Sequence, residues 1–341
     1  MISVIVPVYN CEKYLEQCLN SLKEQTYQKI QIICINDGST DNSLNILNNF
    51  LEQDNRFKIV TTDNNGQSAA RNEALKYVTG EYVTFVDADD WLETDCLEIA
   101  LRKLEEAQAD IAMWGYIKEA PSCSAHVCLY DNDKVIKDID CKKLHIRMLA
   151  PTGNELKKPH LFDSFNTVCG KLYKVELFSN CRFHDIRDIG SGEDALLNQL
   201  IFKKTQCVVY ISNIFYHYRR NINSTTNTYR HNLLDQQLRL ASLMLANYKD
   251  SEFKNLVNQA YNNRIAFLII PLSLNILKSN KNILKKIGDI HKILHSEWYK
   301  NSINSIQLRS MPTHWKFLFL CAKKRFTLSI FALMVIMSHL R

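Results

Sequence analysis

The stretch Tyr82-Val83-Thr84-Phe85-Val86-Asp87-Ala88-Asp89-Asp90-Trp91 joins five strand-forming residues to three carboxylates within four positions. Aromatic and β-branched residues in a row favour a strand. Uncompensated acid at that density repels itself, and a bound divalent cation is the usual reason to keep it. Hard cations take oxygen ligands, and Mg²⁺ in particular uses one or two protein carboxylates while phosphate and water complete its shell. The plainer reading is a solvated acidic turn with Asp90 as the cap of the next helix. The stretch alone leaves the two readings even, and its surroundings must decide.

Outward from it, strand-like and helix-like segments alternate over the first 117 residues. Apolar, β-branched runs occur at Ser3–Val8, Ile30–Ile35, Lys58–Thr62, Tyr82–Val86 and Ile111–Tyr116. Helical patterns lie between them at Glu12–Gln25, Ser43–Gln53, Ser68–Val78 and Thr94–Gln108. This alternation predicts βαβ units and a mostly parallel, Rossmann-like sheet flanked by helices. The strands are continuously apolar, as in a sheet covered on both faces. Residues 120–156 read as a polar loop-and-helix excursion. Residues 162–218 return to mixed patterning with a strand at Cys207–Ile211, and residues 231–310 read as helical.

Ligands of such sheets bind beyond the carboxyl ends of the strands. The distinctive polar residues fall there: Pro7, Tyr9 and Asn10 after the first strand, Asp37 to Asp41 after the second, Asn65 to Asn72 after the third, and the acidic triplet with Ala88 after the fourth. Four loops thus converge on one rim. No glycine-rich phosphate loop with its Lys, and no G-x-G-x-x-G after the first strand, is present, which disfavours a Walker-type kinase or a simple dinucleotide dehydrogenase. A nucleotide here must be held by side chains and metal.

Five segments, SVIVPVYN (3–10), NDGSTD (36–41), NNGQSAARN (64–72), FVDADDW (85–91) and GSGEDALLN (190–198), together resemble glycosyltransferase family 2, whose members have the GT-A fold. The resemblance covers roughly residues 1–220. It implies that Tyr9 packs on the nucleotide base, that Asp37 accepts from a base N–H, and that Arg71 lies near the base and diphosphate. It places Asp87 near ribose or metal and makes Asp89 the direct ligand of Mn²⁺ or Mg²⁺. Asp194, beside Glu193, matches the general base that deprotonates the acceptor hydroxyl in an inverting transfer. The bland alternative is that the pair complements the N-terminus of the helix it opens. Tyr216–Arg220 and Ser224 resemble a segment closing over the diphosphate, with Arg219 offsetting its charge and His217 a candidate metal contact. Lys171 matches a basic residue near donor or acceptor, with a solvated surface lysine as its alternative. Gln67 departs from the family pattern and is expected to alter donor contacts.

Forty-six per cent hydrophobic and 23% charged residues over 341 positions describe a chain that folds throughout. The expected organisation is a GT-A domain at 1–230 (nucleotide-binding half 1–117, acceptor and catalytic half 118–230), a helical module at 231–310 and an apolar, basic tail at 311–341. Eleven cysteines without a CxxC pair suggest free thiols in a reducing compartment and no zinc site. The chain begins directly in a strand-like run, so no secretory leader is expected. The net charge of +6 is concentrated late, in Lys281 to Lys286 and in Lys316, Lys323, Lys324, Arg325 and Arg341. The apolar stretch Phe326 to Leu340 is shorter than the roughly 20 residues that span a bilayer. With its basic and aromatic flank it suggests peripheral membrane contact through residues 314–341, against the alternative of a helix packed on the protein's own core. Together these readings predict a metal-dependent inverting glycosyltransferase. Its donor is a nucleotide sugar, a UDP-sugar by expectation, and its acceptor a cell-surface polysaccharide or lipid-linked glycan at the cytoplasmic face of a membrane; no nucleic acid is expected as a partner. The rivals are a nucleotidyltransferase acting on sugar phosphates and an inactive scaffold of the same fold.

Overall fold

The computed structural model describes residues 1–119, 124–220 and 228–339. Two compact units divide the chain: residues 1–144, 164–187 and 193–221 form the first, and residues 145–163, 188–192 and 222–341 the second. The expected GT-A domain at 1–230 therefore contains three segments, 145–163, 188–192 and 222–230, that belong to the helical unit.

The first unit is built on a ten-stranded sheet. It begins β1 (Ile2–Val8), α1 (Glu12–Lys23), β2 (Ile30–Asp37), α2 (Ser43–Gln53), β3 (Phe57–Thr62), α3 (Gln67–Ala74) and β4 (Tyr82–Phe85). The four strands are parallel in the order β3-β2-β1-β4, as the alternating pattern predicts. Every residue of β1 is buried, which is why its run is apolar throughout. Asp41 ties the starts of α1 and α2 together, its carboxylate accepting from the backbone N–H groups of Glu12 and Ser43 (both 3.0 Å). The Glu12 carboxylate accepts from Asn42 N–H in return (2.8 Å).

Beyond β4 the sheet is mixed rather than parallel. The elements are β5 (Trp91–Leu92), α4 (Cys96–Glu106), β6 (Ile111–Glu119), β7 (Ala125–Val127), β8 (Lys134–Lys137), α5 (Asp138–Leu149), β9 (Lys171–Lys174), α6 (Ile186–Ile189), α7 (Glu193–Phe202) and β10 (Cys207–Arg219). β9 lies between β4 and β6 and is antiparallel to both. β6 and β10 are parallel, whereas β5 and β8 run antiparallel to β10 and β7 antiparallel to β6. The expected excursion at 120–156 thus contains two short strands as well as a helix. β10 extends eight residues past the predicted strand, with register shifts between Ile211 and Tyr216, and that extension carries Tyr216, His217 and Arg219 alongside β5.

The second unit contains α8 (Leu233–Ala246), α9 (Lys254–Phe267), α10 (Ile269–Lys278), α11 (Ile283–His295), α12 (Glu297–Ser305), α13 (Thr313–Lys323) and α14 (Thr327–His339). Its core centres on Phe267, whose ring stacks with Phe162 (4.4 Å) and Trp315 (5.8 Å) and packs against Phe319 (4.8 Å). Residues 145–163 join this unit through polar ties: Asn263 Nδ2 donates to Pro151 O (2.8 Å), and Arg264 pairs with Asp163 (2.5 Å).

Candidate active site

The ends of β1, β2 and β4 meet at a cavity of about 240 Å³ whose lining includes Pro7, Tyr9, Asp37, Asp87, Ala88 and Asp89. Tyr9 stands half-exposed at its rim, with a ring face available to a planar partner. Asp37 is almost fully buried. Its Oδ1 accepts from Asn65 N–H (2.9 Å) and its Oδ2 from Gly66 N–H (2.8 Å), so the carboxylate holds the β3–α3 loop against the end of β2. Asn10 and Asn65 act on the loops rather than on the cavity. Asn10 Oδ1 accepts from Thr40 N–H (2.8 Å), and Asn65 Nδ2 donates to Asp63 O (3.0 Å).

A second cavity, of about 230 Å³, is lined by Asp87, Asp194, Tyr116, Lys118, Tyr216 and Tyr218 among others. Asp87 lines both cavities. Between them lies Arg71, 1% exposed, whose Nη2 donates to Asp87 Oδ1 and Nη1 to Asp194 Oδ1 (both 2.7 Å). The family resemblance places Arg71 against base and diphosphate, but here its guanidinium is consumed in joining the acidic motif to the expected base. Gln67 Nε2 also donates to Asp87 Oδ1 (3.0 Å), a contact that the departure at position 67 creates.

Asp194 Oδ2 accepts from Val168 N–H (3.0 Å). Burial raises the Asp194 carboxyl above its usual range, with Arg71 pulling the other way. Beside it, burial and then the Asp194 charge push Glu193 up to about 7. Lys171 is neither at a surface nor in either cavity: it is 2% exposed, its Nζ donates to Thr167 O, and burial pulls it down to about 8. It supports the segment carrying Val168.

The acidic triplet divides. Asp87 and Asp89 face the first cavity, whereas Asp90, 1% exposed, lies in the wall of the second. Asp90 accepts from Tyr216 Oη (2.6 Å) and from Arg219 N–H (2.8 Å). Tyr216 Oη in turn accepts from Asp87 N–H (3.2 Å). Burial, then the charges of Asp87 and Asp89, push Asp90 up to about 8. It is a buried strut for the loop.

Arg219 lies beside the triplet, its Nε donating to Asp89 O (2.9 Å) and its guanidinium held between the rings of Tyr14 (4.8 Å) and Trp91 (4.6 Å). His217 does not meet the expectation of a metal contact. Its Nδ1 pairs with Glu119 and its Nε2 with Glu93 (both 2.8 Å), and its ring stacks on Trp91, so neither nitrogen is left for a cation. Ser224 lies outside the described residues. Among those described, no group of three or more His, Cys, Asp and Glu side chains could hold a metal ion. Asp89, with Asp87 adjacent, suits an ion that takes only one or two protein carboxylates and is completed by phosphate.

The sequence places Tyr216 in a segment expected to close over the diphosphate, but not the bridge its hydroxyl makes between Asp90 and Asp87, and it does not single out the Val168 N–H. The alternation of Tyr216 and Tyr218 on one face of a strand was a usable signal for the first; a backbone N–H has none.

The fold is that of the GT-A glycosyltransferases. The crystal structure of S. aureus TarS 1-349 in complex with UDP-GlcNAc matches it with a TM-score of 0.66, at 19% identity over 97% of this chain and 89% of that one. The glycosyl transferase family 2 model matches residues 3–122. Glycosyltransferase GlyG of Streptococcus pneumoniae serotype 4 is 30% identical over 67% of this chain and 73% of its own length. Glycosyltransferase GlyA of the same organism is 40% identical over 64% of this chain, and the match spans only 30% of GlyA. The chain belongs to glycosyltransferase family 2.

Removing the shared cation should be costly. Arg71→Met leaves two part-buried carboxylates without their counter-charge, and a stability loss of about 3 kcal/mol is expected, at the low end for a broken buried pair because both acids keep some solvent access. Urea unfolding reads it, and Arg71→Lys, lacking the planar fork, should recover only part. Asp90 predicts a pH dependence. Between the ordinary carboxyl value of 3.8 and about 8, the folded protein keeps a proton that the unfolded chain releases. Stability of the metal-free protein should therefore fall as pH rises through that window and level off above it. Asp90→Asn, which keeps an acceptor for Arg219 N–H and reverses the bond to Tyr216, its Nδ2 donating to the hydroxyl oxygen, should flatten the profile.

Proposed function

We propose that the chain transfers a sugar from a nucleotide diphosphate, a UDP-sugar, to a hydroxyl of a polysaccharide or lipid-linked glycan at the cytoplasmic face of a membrane, with inversion at the anomeric carbon. The observation that carries this reading is the pair of cavities sharing Asp87, one with Tyr9, Asp37 and Asp89 and the other with Asp194. The donor nucleotide occupies the first, its base against Tyr9 and beside Asp37. TarS has been crystallised with UDP-GlcNAc and with UDP, which supports a uridine nucleotide. The acceptor hydroxyl enters the second cavity, whose tyrosine faces suit the apolar faces of a sugar ring.

Asp194 takes the proton as the hydroxyl oxygen bonds to the anomeric carbon. The bond from that carbon to the diphosphate oxygen breaks with its electron pair, and the nucleoside diphosphate leaves. Attack from the side opposite the leaving group inverts the configuration, and a single protein base suffices because the donor brings its own leaving group. Burial supports the basicity of Asp194, while its bonds to Arg71 and Val168 N–H fix its direction. Arg219 lies beside Asp89, where it offsets charge on the departing diphosphate. Asp89 and Asp87 would hold Mn²⁺ or Mg²⁺, which when bound supplies Lewis-acid stabilisation of the leaving diphosphate.

Two measurements test the assignment. Asp194→Asn should lower kcat by about 100- to 10,000-fold while leaving UDP affinity near wild type; near-normal turnover would remove Asp194 as the base. Asp89→Ala should abolish the Mn²⁺-dependent increment of UDP binding in calorimetry, and an unchanged increment would move the metal elsewhere.

A further inference from the structure

The helical unit leaves an apolar surface uncovered. α14 is apolar on all sides from Ile330 to Met337, yet only Ile330 and Met334 are buried. Leu328 and Ile336 on this helix are 68% and 57% exposed, and Phe326 just before it is 56% exposed. α13, packed on α14, exposes Phe317 and Leu320, and α11, also packed on α14, exposes Ile283 and Leu284. Seven of the thirteen exposed large apolar side chains among the described residues therefore lie beyond Asn282. Exposed apolar side chains gathered on one helix and the two helices packed against it mark an interaction site rather than ordinary surface.

Charge names the occupant. Residues 281–339 carry ten Lys and Arg against two Asp and Glu, whereas the first 280 residues carry slightly more acid than base. Both acids are already paired, Asp289 with Lys281 and Lys292 and Glu297 with Lys300. A surface with this excess of cations repels a second copy of itself and attracts an anionic one. No helix among the described residues is long and apolar enough to cross a membrane. The 13 residues of α14 reach about 20 Å, short of the roughly 30 Å hydrocarbon core. We infer that the surface formed by α11, α13 and α14 docks in the plane of an anionic lipid bilayer, the exposed apolar side chains entering the headgroup boundary and the basic residues contacting lipid phosphates. The structure adds α11 to the tail suggested by the sequence, and the inference does not depend on the transferase reading.

The test is flotation of the full chain with phosphatidylcholine vesicles, with and without phosphatidylglycerol, at low and high salt. The wild type should float with the anionic vesicles, less at high salt, and little with phosphatidylcholine alone. Leu328→Glu with Ile336→Glu, both at exposed positions, should abolish flotation while circular dichroism stays unchanged. Lys285→Gln, Lys324→Gln and Arg325→Gln together should lower partitioning onto anionic vesicles on the order of a hundredfold. Failure of the wild type to float, or flotation indifferent to these substitutions, overturns the inference. So does a wild-type dimer in light scattering that Leu328→Glu with Ile336→Glu dissociates without any vesicle binding, because the occupant is then a second copy of the chain.

Discussion

One buried guanidinium orders the candidate site. Arg71 projects from α3 into a region with almost no solvent access and spends its two terminal nitrogens on Asp87 and Asp194, residues 107 positions apart in the chain. Taking an arginine out of water is unfavourable unless its charge and its donors are met. Two carboxylates meet its charge and its two terminal donors, with Nε left buried and without a hydrogen-bond partner among the described residues, and their own repulsion is relieved in return. The loop after β4 and the start of α7 are thereby held to one spacing, and the two cavities share Asp87 in their walls. Gln67 and Val168 N–H take further lone pairs of the same two acids and fix their directions.

The first half of the fold was legible because its signals are local. Continuous apolar runs in β1 to β4, and helical runs between them, follow directly from burial on both faces of a parallel sheet, and the polar residues at the strand ends mark the rim. The strands of the mixed half were legible only in β6 and the start of β10, for the same physical reason. β5 has two residues, β7 three, and β8 and β9 four each, too short for periodicity to register. Their pairing is set by register against β6 and β10, which is information carried across the chain rather than along it.

Within the site, sequence reasoning located the residues better than it assigned their work. Asp37, Asp87, Asp89 and Asp194 all reach the cavities. Asp90 lines the second cavity as well, whereas Arg71, Lys171 and His217 are found one layer behind. A motif reports residue type at a position, and a buried Lys under a loop has the same type as a Lys on a ligand. Burial and partners distinguish them: Lys171 is spent on a backbone carbonyl, and His217 is spent on two carboxylates.

The acid content of the site explains why so many of its carboxyls titrate unusually. Asp87, Asp89, Asp90, Glu193 and Asp194 gather around the cavities, with Arg71, Arg219, Lys118 and Lys171 among the cations near them. Such an excess cannot stay fully ionised at low dielectric. Protons relieve it, since Asp90 is pushed up to about 8 and Glu193 to about 7, each chiefly by burial and then by its acidic neighbours. Asp90 and Glu193 are both buried, and Asp87 and Asp89 keep their faces toward the first cavity. Asp90 thus serves as an enclosed support, while Asp87 and Asp89 form the wall where a diphosphate and its counter-ion would sit. The same residue type performs both tasks because the fold, rather than the side chain, sets its ionisation.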